Sequence, residues 1–131
     1  MKTKSKSGFS LVEVLAAVSI IGIIAFIAIP NIVAIKKDAE RNLAISRAEA
    51  INMSVASYVQ SNGRDLVAPG WATKTNNQRY TLLIPYLSFA PNALATYTPA
   101  GYSIVLPTNL NALTKAVLTD TGADPDVVIV Y

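Results

Sequence analysis

The sequence predicts an α+β protein in which a long N-terminal helix, membrane-spanning in its first half, packs on a small antiparallel β-sheet. Three observations lead to this prediction. An uncharged apolar run covers residues 14–29. Apolar residues then recur at helical spacing up to residue 58, and short alternating segments follow in the C-terminal third. With 131 residues, the chain has room for one modest domain besides the apolar segment.

Charge is distributed unevenly along the chain. Lys2, Lys4 and Lys6 supply three of the eleven basic residues, and the remaining eight are balanced by eight acidic residues. The formal net charge of +3 therefore belongs to the first eight residues. Because a neutral body lacks the basic surface that binds phosphate backbones, we infer no specific nucleic-acid partner.

The chain contains no cysteine and no histidine. This excludes thiol nucleophiles, disulfides and the commonest zinc ligands. No Ser/Lys or carboxylate pair stands out, and residues 64–131 lack a glycine-rich phosphate-binding loop. The sequence therefore predicts a protein that is not an enzyme and has no cofactor, apart from the weak calcium candidate below.

The apolar segment is long enough to cross a membrane. Residues 14–29 carry no charge, and Ser19 is their only hydroxyl; extension to Ile35 gives twenty-two residues without charge, against ~20 needed to span a bilayer. The preceding lysines favour a cytoplasmic N-terminus. A cleaved signal peptide would have a shorter core and a small-residue cleavage site. A plain anchor explains the length but not Glu13, since a carboxylate near bilayer depth is costly.

The stretches "KSGFSLVEVL" and "IIGIIAFIAIP" resemble the N-terminus of type IV prepilins and pseudopilins. The matching features are a short basic leader ending in Gly8, then Phe9, and Glu13 four residues later. The resemblance is close over residues 4–35 and says little about residues 64–131. It implies a pilin-like fold, cleavage between Gly8 and Phe9 by a prepilin peptidase, and N-methylation of Phe9.

The resemblance also implies a role for Glu13 in assembly. In a stack of subunits, its carboxylate would neutralise the N-terminal amine of the next subunit. Because desolvation offsets most of the Coulomb gain, such a pair sets register better than it adds stability. The alternative is a glutamate that reaches the membrane interface.

Two residues weaken the apolar helix. Pro30 removes a backbone hydrogen bond and clashes with the preceding turn, and Gly22 has low helix propensity. We predict a kink that aims the following domain. The resemblance adds that the segment between these residues straightens or locally unwinds in a filament.

The sequence divides into four parts. Residues 1–8 form a leader removed on processing, 9–35 the transmembrane and assembly helix, 36–61 its amphipathic continuation, and 62–131 a small globular domain. The predicted apolar stripe of the helix consists of Ile32, Ile35, Ala39, Leu43, Ala48, Ile51, Val55 and Tyr58.

Within the globular domain, residues 64–79 are predicted to form a loop. Trp71 is predicted to fill the core in preference to lying on the surface as an interface residue. The next segment, "RYTLLIPYLSF", has the spacing of a short helix. Strands are predicted near residues 102–106, 114–119 and 126–130, and the last strand leaves an edge that needs cover.

Three carboxylates cluster in "TDTGADPD". Asp120, Asp124 and Asp126 are a weak calcium candidate, since carboxylates on a turn can bind calcium and some pseudopilins carry calcium in C-terminal loops. Their spacing does not match an EF-hand, and Asp and Gly are ordinary turn residues.

The predicted function is that of a structural subunit polymerised through its helix into a type II secretion pseudopilus or a type IV pilus-like filament. The alternatives are a surface pilin for adhesion, motility or DNA uptake, and an anchored binding module that never polymerises. The resemblance implies as partners the prepilin peptidase, other pilin subunits, an inner-membrane assembly platform and the lipid bilayer before assembly. It also implies a single-pass protein of the bacterial inner membrane with a periplasmic C-terminal domain, which then enters a periplasmic or cell-surface filament.

Overall fold

The computed structural model describes residues 8–112 and 114–131. The chain divides into two compact units, Met1–Asp38 and Ala39–Tyr131. Helix α1, Leu11–Asn62, is 52 residues long and contributes to both. The long N-terminal helix and the small antiparallel sheet confirm the predicted fold class.

In the first unit, the side chains of α1 are almost all exposed. An 18-residue stretch of α1 has a mean hydropathy of 2.7 with none of it buried, so by length and composition this helix can cross a membrane. Its polar side chains bond to the preceding helical turn. The Ser19 hydroxyl donates to the Leu15 carbonyl (2.8 Å), and the Asn31 amide donates to the Ile27 carbonyl (3.4 Å). Such bonds hide polar groups that would otherwise be costly in lipid.

In the second unit, α1 buries one face in a small core. That face consists of Ala44, Ala48, Ile51, Ser54, Val55 and Val59. The predicted stripe is therefore correct from Ala48 onward, with Tyr58 half-buried beside the core.

The first half of the predicted stripe is wrong. Ile32 and Ile35 are 62% and 68% exposed, Leu43 is 47% exposed, and Ala39 is exposed as well. Helical spacing continues through these positions, but the core of the second unit is small and the buried face begins only at Ala44.

The sheet has three antiparallel strands in the order β1-β2-β3. They are β1, Tyr102–Val105, β2, Val117–Asp120, and β3, Val127–Ile129. Ile104 pairs with Leu118, which pairs with Ile129, and all three side chains are buried. The three predicted strands are confirmed, although each is shorter than expected.

The prediction of a loop over residues 64–79 is wrong. This region contains α2, Arg64–Ala72, and the first residues of α3, Asn76–Leu83. The helix predicted in "RYTLLIPYLSF" is confirmed as the end of α3, followed by a 3₁₀ turn, Ile84–Tyr86. A further short helix, α4, covers Leu94–Tyr97.

Packing and capping explain why helices replace the predicted loop. Trp71 is 1% exposed, as predicted for a core residue, and its indole nitrogen donates to the Pro107 carbonyl at 2.7 Å. Thr75 and Gln78 form a capping box at the start of α3. The Arg79 side chain donates to the carbonyls of Trp71 and Ala72, each at 3.1 Å. The buried guanidinium thus supplies hydrogen-bond donors to carbonyl groups at the C-terminal end of α2, which would otherwise lack a partner in the helix.

Candidate functional site

The predicted cleavage position lies in open surroundings. Gly8 and Phe9 precede α1, and Phe9 is 90% exposed. Apart from its chain neighbours, no heavy atom of the described residues lies within 4 Å of a Cβ placed on Gly8. Crowding by the described residues therefore does not require glycine here, and the requirement implied by the resemblance would come from the enzyme that cuts.

Glu13 lies in the first turn of α1 and forms a capping box with Ser10. Its carboxylate Oε2 accepts from the Ser10 backbone N–H at 2.7 Å, and the Ser10 hydroxyl accepts from the Glu13 N–H at 3.2 Å. This arrangement satisfies two backbone donors that a helix start leaves free. The carboxylate is thereby drawn back toward the N-terminal end of the helix, on the side of Phe9.

Ser10 was not among the predicted site residues. The signal was present, because Ser10 and Glu13 have the S-x-x-E spacing of a capping box before an apolar run. The capping box gives Glu13 a local structural role that operates in a single subunit. Any assembly role of its carboxylate must coexist with these bonds or replace them.

Phe9 and Glu13 also share one surface. Together with Val14, Ala17 and Val18 they line an open apolar depression of about 330 Å³. Glu13 is the only charged residue from Phe9 to Ile35, so a counter-charge within this segment can come only from a new N-terminus at Phe9. The structure therefore brings two of the predicted site residues together.

Gly22 and Pro30 lie further along α1, and the helix is continuous through both. Apart from its chain neighbours and the backbone of its own helix, no heavy atom of the described residues lies within 4 Å of a Cβ placed on Gly22. Unwinding of this segment in a filament stays a prediction.

The acidic cluster near the C-terminus is built as a turn. Asp120 ends β2, and its Oδ1 accepts from the Gly122 N–H at 3.0 Å. Asp124 and Asp126 follow in the turn before β3. Within residues 8–112 and 114–131, no three Asp, Glu, His or Cys side chains are grouped to hold a metal ion. Calcium binding stays an untested prediction.

The same N-terminal residues are similar to those of a known protein family. A family model described as the prokaryotic N-terminal methylation motif matches residues 3–29, a range that includes Gly8, Phe9, Glu13 and Gly22 and stops one residue before Pro30.

Three similar relatives extend the likeness beyond the motif, and each is named type II secretion system core protein G. The protein of Aeromonas hydrophila is 29% identical over 107 residues, 82% of this chain and 68% of its own length. That of Klebsiella michiganensis is 30% identical over 107 residues, 82% of this chain and 69% of its own length. That of Escherichia coli K12 is 29% identical over 105 residues, 80% of this chain and 66% of its own length. No solved structure matches the chain significantly.

Proposed function

The chain belongs to the family of type II secretion system core protein G, and from this we propose that it is a pseudopilin, a structural subunit polymerised through its N-terminal helix. In this proposal a prepilin peptidase cuts between Gly8 and Phe9 and the new N-terminus is methylated. The motif match over residues 3–29 supports this processing. The product is a pseudopilus subunit and carries no catalytic activity of its own.

The observation that carries the proposal is the exposed apolar part of α1. Phe26 is 83% exposed, and Ile24, Ile27 and Ile29 are each at least 60% exposed. An apolar surface of this extent must be covered by lipid or by other helices. A membrane covers it before assembly, and the equivalent helices of neighbouring subunits cover it in the filament, where packing replaces lipid contact.

Glu13 supplies the register in this proposal. Cleavage creates an amine on Phe9, and the carboxylate already lies on that side of the helix start. A subunit stacked one step out of place would leave a carboxylate and an amine unpaired in an apolar environment, which is costly. The pair therefore selects one alignment among several that bury similar apolar area.

Mass spectrometry of the mature N-terminus tests the processing step. We expect an N-methylated Phe9 terminus; an intact Met1 terminus would leave only the anchored module.

Two substitutions separate the two roles of Glu13. Glu13→Gln retains a side-chain oxygen for the Ser10 N–H but removes the charge, whereas Glu13→Ala removes both. If charge pairing sets register, both variants are still cleaved after Gly8 and both lose filament incorporation. If capping alone matters, only Glu13→Ala loses it. Filaments at wild-type yield from both variants would refute the register role.

Location and partners follow from the same proposal. The subunit spans the inner membrane once, with its N-terminus in the cytoplasm and residues 39–131 in the periplasm, and an inner-membrane platform then adds it to the filament. The alternative of a surface pilin is tested by shearing cells. We expect a pseudopilus subunit to stay with the cell, and abundant sheared filaments at native expression would favour the surface pilus.

A further inference from the structure

The turn after the 3₁₀ segment presents an aromatic side chain to solvent. Phe89 is fully exposed, with a relative exposure of 103%, the largest among the apolar side chains of the described residues. Its backbone has φ = 54°, and it is the only residue other than glycine with positive φ in that part of the chain. Glycine or asparagine occupies this conformation at lower cost. An aromatic residue at this position is therefore unfavourable both in its exposure to water and in its backbone conformation.

The turn that carries Phe89 is fixed on both sides. Leu87 and Ala90 pack against the core, and the Leu87 N–H donates to the Ile84 carbonyl at 3.1 Å. Beyond Phe89, the Pro91 carbonyl accepts from the Tyr80 hydroxyl at 2.8 Å. Because its flanking residues are held in place, the Phe89 ring has a defined position. A partner that binds the ring would therefore lose little free energy to the ordering of a flexible loop.

The same unit contains an open cavity of about 590 Å³ between the start of α3, α4 and β1. None of its lining residues is charged. Its amide groups are largely occupied: Asn76 bonds to the Ile104 carbonyl and the Leu106 N–H, and the Asn77 Oδ1 accepts from the Leu94 N–H. A lining without charged residues offers no charge partner for an ion, and its apolar members, such as Leu94 and Ala95, can contact an apolar group.

We infer that Phe89 of one subunit inserts into this cavity of a neighbouring copy of the chain. Phe89 is not one of the residues that line the cavity of its own subunit, and its full exposure shows that it does not fill it. When subunits are placed head to tail along a filament, the projection of each copy can meet the cavity of the next, and such a contact repeats without closing when its rotation does not close a ring. This geometry matches a filament and rests on the proposed function.

The substitution Phe89→Gly gives opposite effects on folding and on assembly. Glycine accepts the positive φ, so the melting temperature of the variant should equal or exceed that of the wild type. Loss of a central aromatic anchor should lower filament yield at least about tenfold, in the range of interface hot spots. Phe89→Leu keeps an apolar projection and should retain more filament. Leu66→Ala removes another apolar side chain that is 83% exposed and serves as the matched control.

Cysteine pairing tests the two surfaces directly, because the chain has no cysteine of its own. Two differently tagged full-length chains, one with Phe89→Cys and one with Ala95→Cys, are expressed together in cells that assemble filaments. We expect a disulfide-linked pair that contains both tags. Each variant alone should give none, and Ala95→Arg, which narrows the cavity, should lower filament yield as Phe89→Gly does.

The outcomes separate this contact from the function on which it rests. A wild-type chain that forms no filament would overturn the proposed function and this contact together. Wild-type filaments with an unaffected Phe89→Gly yield, or single-cysteine chains that cross-link as well as the mixed pair, would overturn the contact alone.

Discussion

Asn52 connects α1 to residues that flank the central strand β2 and the edge strand β3. Its Oδ1 accepts from the Ala116 N–H at 2.8 Å, and its Nδ2 donates to the Tyr131 hydroxyl at 3.2 Å. The Tyr131 hydroxyl in turn donates to the Ala116 carbonyl. Ala116 is 2% exposed, so its backbone groups have little access to water. One amide side chain thereby links the helix to residues that are 64 and 79 positions away in sequence.

The substitution Asn52→Ala should destabilise the second unit by about 2 kcal/mol. It leaves the buried Ala116 N–H without its partner, and an unsatisfied buried donor costs about 1–3 kcal/mol. Tyr131→Phe should cost about 1 kcal/mol, because it removes a single hydroxyl. The three groups share one network, so the double variant should cost less than the sum of the two.

Trp71 provides the assay, since it is the only tryptophan in the chain and is 1% exposed. Urea unfolding of the full chain in detergent micelles, followed by tryptophan fluorescence, gives the free energy of unfolding. In thermal melts, about 2 kcal/mol corresponds to a decrease in Tm of roughly 8–16 °C for a domain of this size. The control is Ser57→Ala, which removes an exposed bond to the Met53 carbonyl and should change stability by less than about 0.5 kcal/mol. An Asn52→Ala variant as stable as this control would refute the reasoning.

Three further predictions concern the same unit. Arg79→Ala should lower the free energy of unfolding by about 2–4 kcal/mol in urea unfolding, because it removes two charge-assisted bonds to the end of α2. The stability of Arg79→Lys should lie between those of the wild type and Arg79→Ala. An Arg79→Ala variant as stable as the wild type would show that α2 does not need this cation. Burial raises the pKa of both Tyr80 and Tyr131, so the folded state holds these phenol protons more tightly than the unfolded chain does. Their contribution to the free energy of unfolding is complete below about pH 10 and is lost as pH rises through the raised pKa values. The free energy of unfolding, measured from about pH 9 to 12, should decrease with pH, and it should decrease less steeply for Tyr131→Phe than for the wild type. Equal slopes for the two proteins would refute this explanation. EGTA tests the calcium prediction: a decrease in Tm would support calcium at Asp120, Asp124 and Asp126, and an unchanged Tm would refute it.

Local patterns were sufficient to predict α1 and the sheet. Helical spacing carries α1 to its end at Asn62, and alternation places Ile104, Leu118 and Ile129 on one buried face. These elements follow from periodicity because each has one buried face over several residues. The extent of burial along α1 was not predictable in the same way, because it depends on where the rest of the domain reaches the helix.

Residues 64–79 were mispredicted because their local signals and their tertiary contacts disagree. Pro69, Gly70 and neighbouring asparagines are typical of loops. The helices there depend on partners distant in sequence, such as the Pro107 carbonyl that accepts from Trp71. The capping box of Thr75 and Gln78, like that of Ser10 and Glu13, was visible as a four-residue pattern. In both, Ser or Thr is followed three residues later by Glu or Gln, which is a local signal for the start of a helix.

The two units differ in how their polar and apolar groups find partners. Substitutions in the second unit should therefore change stability, and substitutions in the first should change assembly. Among the described residues, no buried side-chain nitrogen or oxygen lacks a hydrogen-bond partner. The second unit therefore folds around contacts that it supplies itself, and substitutions at Asn52 or Arg79 should act on stability. The first unit contains the exposed apolar part of α1, in which Glu13 is the only charged residue from Phe9 to Ile35. In the proposed function, lipid or other subunits cover this surface, and a neighbouring N-terminal amine neutralises the carboxylate. Substitutions at Glu13 should therefore leave the Trp71 unfolding curve unchanged and still reduce assembly, whereas a loss of stability in those variants would show that the two units are coupled.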